Sequence, residues 1–150
     1  MSSVVILGAK RTALGSLLGQ FTGVPATQLG ATAIKAALEH AKLSGERVDE
    51  VIMGCVLPAG LGQAPARQAA LAAGIPAKAG ATTINKVCGS GMKAVMFGHD
   101  LIKAGSAEVV IAGGMESMTN APHLLMNSRT GTRYGSAEML DHMAWDGLTN

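Results

Sequence analysis

At 150 residues, the chain has the length of one ordinary domain, a size that buries roughly 70% of the surface its unfolded form exposes. With 48% apolar residues, 15% charged residues and a net charge of +2, disorder is excluded. Nucleic acid is a poor partner, because there is no basic stripe and the four aromatics, Phe21, Phe97, Tyr134 and Trp145, are too scattered to stack bases. No apolar run reaches the ~18 residues of a membrane span and no basic leader precedes the first apolar run. Two cysteines make no disulfide framework, and no Cys or His pairs show zinc spacing. The expectation is a cytoplasmic chain with neither membrane nor metal. Its 20 glycines and nine methionines predict a core of small and flexible side chains that brings helices and sheet unusually close.

Val4 to Ala9 is a short, β-branched apolar run that predicts a strand buried on both faces. A polar, glycine-spaced connection runs to Pro25. Thr27 is the expected N-cap of a helix with an apolar face of Ala31, Ile34, Ala37, Leu38 and Ala41, ending near Ser44 and Gly45. Val51 to Leu57 repeats the strand signal, Pro58 to Gly62 is a turn, and Pro65 opens a second helix that closes at Gly74. Thr82 to Asn85 predicts a short strand, Gly89 to Lys103 a helix, and Val109 to Ala112 a further buried strand running into Gly113 and Gly114. Strands alternating with helices indicate an α/β fold with a largely parallel sheet. The 89–103 helix is apolar almost all round, which predicts burial all round and a second layer packed over it. Beyond Ser117 a methionine-punctuated, loop-rich stretch begins, giving a division into 1–117 and 118–150.

The segment Asn85 to Met92 carries the strongest chemical signal. A cysteine between a strand end and a helix start meets unpaired backbone N–H groups and the positive end of the helix dipole, which favour a thiolate and lower its pKa. Small Gly89, Ser90 and Gly91 keep the helix mouth open to an acyl carbonyl and its developing oxyanion. A nucleophile and a buried structural cysteine both fit this spacing for Cys88. Cys55, mid-strand among apolar neighbours, reads as core. Gly89 to Ala94 also matches a dinucleotide fingerprint, but Glu108 precedes the following strand instead of closing it. His40 and His99 read as structural, and His123 as lining a pocket or interface. None of these, nor His142, has an evident partner in sequence.

Asn85 to Gly91 around Cys88, Ala112-Gly113-Gly114-Met115-Glu116-Ser117-Met118 and Ala121-Pro122-His123 resemble the N-terminal part of the thiolase family, in its acetyl-CoA acetyltransferase type. Ala9 to Thr12 with Gly15, Gly62 to Gln68, and Asp146 to Thr149 extend the likeness over the whole chain. The resemblance implies a thiolase-like layered fold, its first α/β half having a mostly parallel mixed sheet, a buried helix after the cysteine and the start of a loop domain. It implies that Cys88 takes an acetyl group from acetyl-CoA as a thioester, with its own backbone N–H in the oxyanion hole. That acetyl then joins a second acetyl-CoA to give acetoacetyl-CoA and free CoA, with thiolysis as the reverse. Coenzyme A thioesters are substrates on this reading, and no cofactor is needed. Leu148, Met118 and His123 are the implied substrate-binding residues, and the segment from His123 to Tyr134 implies self-association as a dimer or tetramer. Met115 and Glu116 are implied supports at the strand end, and Arg67 is either a dimer-interface residue or a solvated charge. Members of the family are more than twice this length, and their second half brings the base and a second cysteine. The chain alone is therefore expected not to condense acetyl-CoA. A degradative 3-ketoacyl-CoA thiolase and a non-catalytic folding or interaction unit are the other readings.

Overall fold

The computed structural model describes residues 3–149. Its centre is a three-stranded parallel sheet of β1 (Glu50–Gly54), β2 (Gly80–Ile84) and β3 (Val110–Gly114), in the order β2-β1-β3. Glu50 is level with Gly80 on one side and Val110 on the other, and Gly54 with Ile84 and Gly114. Helices α1 (Ala26–Ala41), α2 (Pro65–Ala72) and α3 (Ser90–Lys103) cover the sheet. β1, buried throughout its last four residues, sends its side chains alternately to two faces. Val51 and Met53 enter the core formed with Ile34, Leu38, Ala66 and Ala69 of α1 and α2. Ile52 and Gly54 face α3, whose Gly98 lets the helix settle against Val110 and Ala112 of β3. The α/β class and its parallel sheet thus match expectation, with element limits shifted by local chemistry.

Pro25, extended at ψ 153°, takes the N-cap of α1, so Thr27 lies inside the first turn and caps nothing. The helix stops before Ser44 because Lys42 turns left-handed at φ 54° and Leu43 N–H bonds back to the Leu38 carbonyl, closing the end. β1 ends at Gly54, not Leu57, since the Val56 and Leu57 N–H groups are drawn to the Glu116 carboxylate. Beyond β3, a two-stranded antiparallel hairpin of β4 (His123–Leu125) and β5 (Met139–Asp141) leads into a π-helix, Met143–Leu148. No helix among the described residues is long and apolar enough to cross a membrane.

Two expectations are corrected. The run Val4 to Ala9 is not a strand: residues 3–16 have no regular structure, and Val5, Ile6 and Leu7 are more than half exposed. A strand needs a ladder, and a cavity of about 370 Å³ lies between this run and the free edge of β3. Nor is α3 buried all round. Ser90, Ala94 and Gly98 are buried against the sheet, but Met92 is 74% and Met96 52% exposed, so no second layer within the described chain covers that face. A compact monomer of this size exposes roughly 7,100 Å², whereas this chain exposes 9638 Å².

Asp49 ties the starts of β1 and β3 together, its Oδ2 accepting from Glu108 N–H at 2.8 Å and Val109 N–H at 2.9 Å. The Val109 and then the Glu108 hydrogen bond hold its carboxyl below the ordinary 3.8. A depressed folded-state pKa adds stability that is complete above the unfolded value and is lost as pH falls through the folded one. Asp49→Asn is expected to lower the thermal midpoint at neutral pH, and its difference from the parent to shrink progressively below pH 3.8; thermal melts across the acid range measure this.

Candidate active site

In a parallel sheet, the crevice at the carboxyl ends of the strands opens where successive crossovers leave in opposite directions. Here β1 connects through α2 to β2 on one side, while β2 connects through α3 to β3 on the other. The divide falls between β1 and β3, and the first turn of α3 sits on it. Three glycines permit the approach. A Cβ on Gly54 would lie 2.5 Å from the Ser90 Cβ and 2.7 Å from the Gly91 N, and one on Gly114 would lie 3.3 Å from the Gly91 Cα. Backbone therefore rests on backbone at the point where β1, β3 and α3 meet.

The five residues from Asn85 to Gly89 join β2 to α3 and carry Cys88. Val87 is left-handed at φ 47°, a strained conformation for a β-branched residue. Its N–H donates to Asn85 Oδ1 at 2.8 Å, and its carbonyl accepts from the buried Ser90 hydroxyl at 2.6 Å. Ser90 Oγ also accepts from Lys86 N–H at 2.8 Å. The Gly89 and Ser90 N–H groups bond back to the Lys86 and Val87 carbonyls. Cys88 is exposed and opens on a cavity of about 520 Å³. Ser90, Met115, Met118 and the stretch from Arg11 to Leu17 line it as well. That volume lies within the range of small-molecule sites.

Glu116 follows β3 and braces the opposite rim. Its Oε2 accepts from Val56 N–H at 2.8 Å and its Oε1 from Leu57 N–H at 2.9 Å. Cys55 Sγ lies 3.5 Å from Oε1. Burial first, then the Glu116 charge and the hydrogen bond to it, push the Cys55 thiol from 9.0 up to about 12. Cys55 is therefore an inert core thiol, 1% exposed.

Of the residues singled out from sequence, Met118 shares the cavity with Cys88. His123 lies exposed on β4, and Leu148 is 62% exposed at the end of the π-helix; neither lines that cavity. None of the four histidines does. His142, without an evident partner in sequence, is buried, with Nδ1 against Asp146 one helical turn on and Nε2 accepting from Ala59 N–H at 3.3 Å. Arg67 donates to the Ala77 and Ala79 carbonyls, clamping the loop before β2. Ser90 was read for its small size alone, whereas its hydroxyl organises the turn. The spacing that would have revealed this is an Asn two residues before Val87 and a Ser three after it, both able to bond local backbone. Among the described residues no three His, Cys, Asp or Glu side chains are grouped to hold a metal.

Fold and site together define a layered α/β domain that presents an exposed cysteine at the crevice of a parallel sheet. The family model for the thiolase N-terminal domain matches residues 4–150, and the chain belongs to the thiolase family. It is 57% identical over 148 residues to an acetyl-CoA acetyltransferase of Cupriavidus necator, and 55% identical over the same length to a probable acetyl-CoA acetyltransferase of Mycobacterium tuberculosis; each match covers 99% of this chain and 38% of the relative. The Acat5 thiolase from Ascaris suum, solved in complex with coenzyme A, superposes with a TM-score of 0.91 at 39% identity, covering 95% of this chain and 37% of that one. The chain thus spans less than two fifths of the length of these relatives.

Two measurements test the site. Gly54→Ala, which forces a Cβ into the backbone of α3, is expected to cost about 1–3 kcal/mol, whereas Gly113→Ala, whose Cβ would meet the flexible Met53 side chain at 3.5 Å, is expected to cost less; denaturant titration compares them. Glu116→Gln removes the charge beside Cys55 and is expected to lower the pH at which that thiol ionises, read from thiolate ultraviolet absorbance in a Cys88→Ser background.

Proposed function

We propose that the chain is the nucleophile-bearing N-terminal part of an acetyl-CoA acetyltransferase, and that Cys88 is its acyl acceptor. The observation that carries this reading is the exposed Cys88 at the mouth of α3, opening on a ligand-sized cavity at the carboxyl edge of the sheet. The Cys88 thiolate attacks the acetyl-CoA carbonyl, the tetrahedral intermediate collapses, and the CoA thiolate leaves. The product is an acetyl thioester on Cys88 that keeps the acyl group activated. As the likeness to thiolases implies, the Cys88 N–H forms part of the oxyanion hole for this step. In the second half-reaction, the α-carbon of another acetyl-CoA loses a proton, attacks the thioester and releases acetoacetyl-CoA and the Cys88 thiolate. Coenzyme A thioesters bind as substrates, and no resident cofactor takes part.

The proton transfer is where this chain falls short. Glu116 is the one carboxylate lining the Cys88 cavity among the described residues, and it is occupied by two backbone N–H groups. A base for the α-proton belongs to the longer protein. The same longer protein covers the apolar face of α3. The exposed Leu125, Met126 and Met139 of the β4–β5 hairpin suit self-association as a dimer or tetramer. In that protein Met118, His123 and Leu148 contact the substrate.

Incubated with excess acetyl-CoA, the 150-residue chain is expected to gain one acetyl group on Cys88 by peptide mass and to form no acetoacetyl-CoA. Steady-state acetoacetyl-CoA formation that disappears in Cys88→Ser would overturn the missing base. Absence of any acetyl on Cys88 would overturn the nucleophile. Iodoacetamide at about pH 8.5 is expected to modify Cys88 and spare Cys55.

A further inference from the structure

We propose that Asn85 is a positioning residue, holding Val87 in its left-handed conformation so that the next residue, Cys88, is presented to the cavity; this rests on the reading of Cys88 as the acyl acceptor. A β-branched side chain at φ 47° is disfavoured by contact of its Cβ with the neighbouring backbone, and such a residue stays there only when its surroundings over-determine it. Three attachments do so here. Asn85 Oδ1 accepts from Val87 N–H at 2.8 Å, two residues on, in the manner of an Asx turn. The Ser90 hydroxyl donates to the Val87 carbonyl, and Ser90 N–H bonds to the same oxygen at 3.1 Å. Ser90 is fixed in turn, its backbone pressed on Gly54 and its Oγ accepting from Lys86 N–H.

The carbonyl side of Val87 is thus anchored to the sheet through α3, while its N–H side depends on Asn85. Asn85 also reaches β1, its Nδ2 lying 3.4 Å from the Val56 carbonyl, and the N–H of Val56 is held by Glu116. Both rims of the crevice are therefore connected through one residue, Val56, to the turn that carries the cysteine. Without the Asn85 acceptor, Val87 relaxes towards φ below zero and carries the backbone of Cys88 with it. Glycine at position 87 has no such preference, because it occupies the left-handed region without penalty. Substitution at 87 therefore separates strain from simple structural loss: glycine relieves a tethered strain, but only adds chain freedom where no strain exists.

The test is the rate at which acetyl-CoA acetylates Cys88, followed by mass spectrometry in the full 150-residue chain, with iodoacetamide labelling of Cys88 as a measure of thiol reactivity that does not need the cavity. Asn85→Ala is expected to slow acetylation about tenfold, the scale of one net hydrogen bond, with alkylation little changed. Asn85→Ser, which keeps an oxygen able to accept from Val87 N–H, is expected to stay within about twofold of the parent. Adding Val87→Gly to Asn85→Ala is expected to recover most of the loss. Equal losses in Asn85→Ser and Asn85→Ala, or no gain from glycine at 87, would overturn the proposal. Circular dichroism checks folding. Should Asn85→Ala not fold, Asn85→Ser decides alone, a retained rate supporting the tether and a lost rate rejecting it. A parent chain that takes no acetyl overturns the functional reading and this inference with it. A parent that is acetylated beside an undiminished Asn85→Ala overturns this inference alone.

Discussion

Everything at the site depends on how near α3 comes to the sheet. Helices normally stand off from strands by the thickness of two side-chain layers, but at Gly54, Gly91 and Gly114 there are no side chains to separate them. The first turn of α3 is thereby placed on the ends of β1 and β3, and Cys88 inherits its position from that contact instead of from its own packing. A parallel sheet supplies the complementary condition. Its strands end together, level from Gly54 to Ile84 and Gly114, so a helix seated there meets a flat shelf with an opening beyond it.

Polar chemistry then holds what the close contact positions. Glu116 takes the two N–H groups that would have continued β1, which ends the strand and turns the chain along the rim. The same carboxylate, with burial, keeps Cys55 protonated. The two cysteines of one chain are thus driven apart chemically by their surroundings: one sits inside the core against a negative charge, and the other stands in the open at a helix start. The Ser90 hydroxyl, buried and doubly engaged, fulfils the requirement that polar atoms in an interior be paired.

The periodic apolar segments were legible in sequence because their residue patterns reflect forces that act within the segment. α1, α2, α3 and the three strands all stand close to where those patterns put them, and Cys88 was found because a strand end followed by small residues is a local signal. Properties that depend on distant partners were not legible. Val4 to Ala9 has the composition of a strand, yet a strand exists only beside another, and the edge of β3 lies across a cavity from it. The apolar girth of α3 predicted a second layer packed over it, yet among the described residues nothing covers Met92 or Met96. Gly54, 36 residues before Ser90, gives no sign that the two touch. Glu116 looked like support at a strand end without disclosing that it bonds the backbone of Val56 and Leu57, just beyond the end of β1.

The walls of the Cys88 cavity differ in how freely they can change. On one side the contact is main chain against main chain, and a Cβ at Gly54 would come within 2.6 Å of the Ser90 backbone, while one at Gly114 would lie 3.3 Å from the Gly91 Cα. On the other stand the loop from Arg11 to Leu17 and the stretch from Ser117 to Thr119, joined by the hydrogen bond from Leu18 N–H to Thr119 Oγ1 at 2.9 Å. Leu14 and Leu17 there are 82% and 58% exposed and carry little of the core. The cavity can thus be reshaped through its loops at little expense to the core, while the shelf beneath the cysteine leaves no room for a side chain at Gly54.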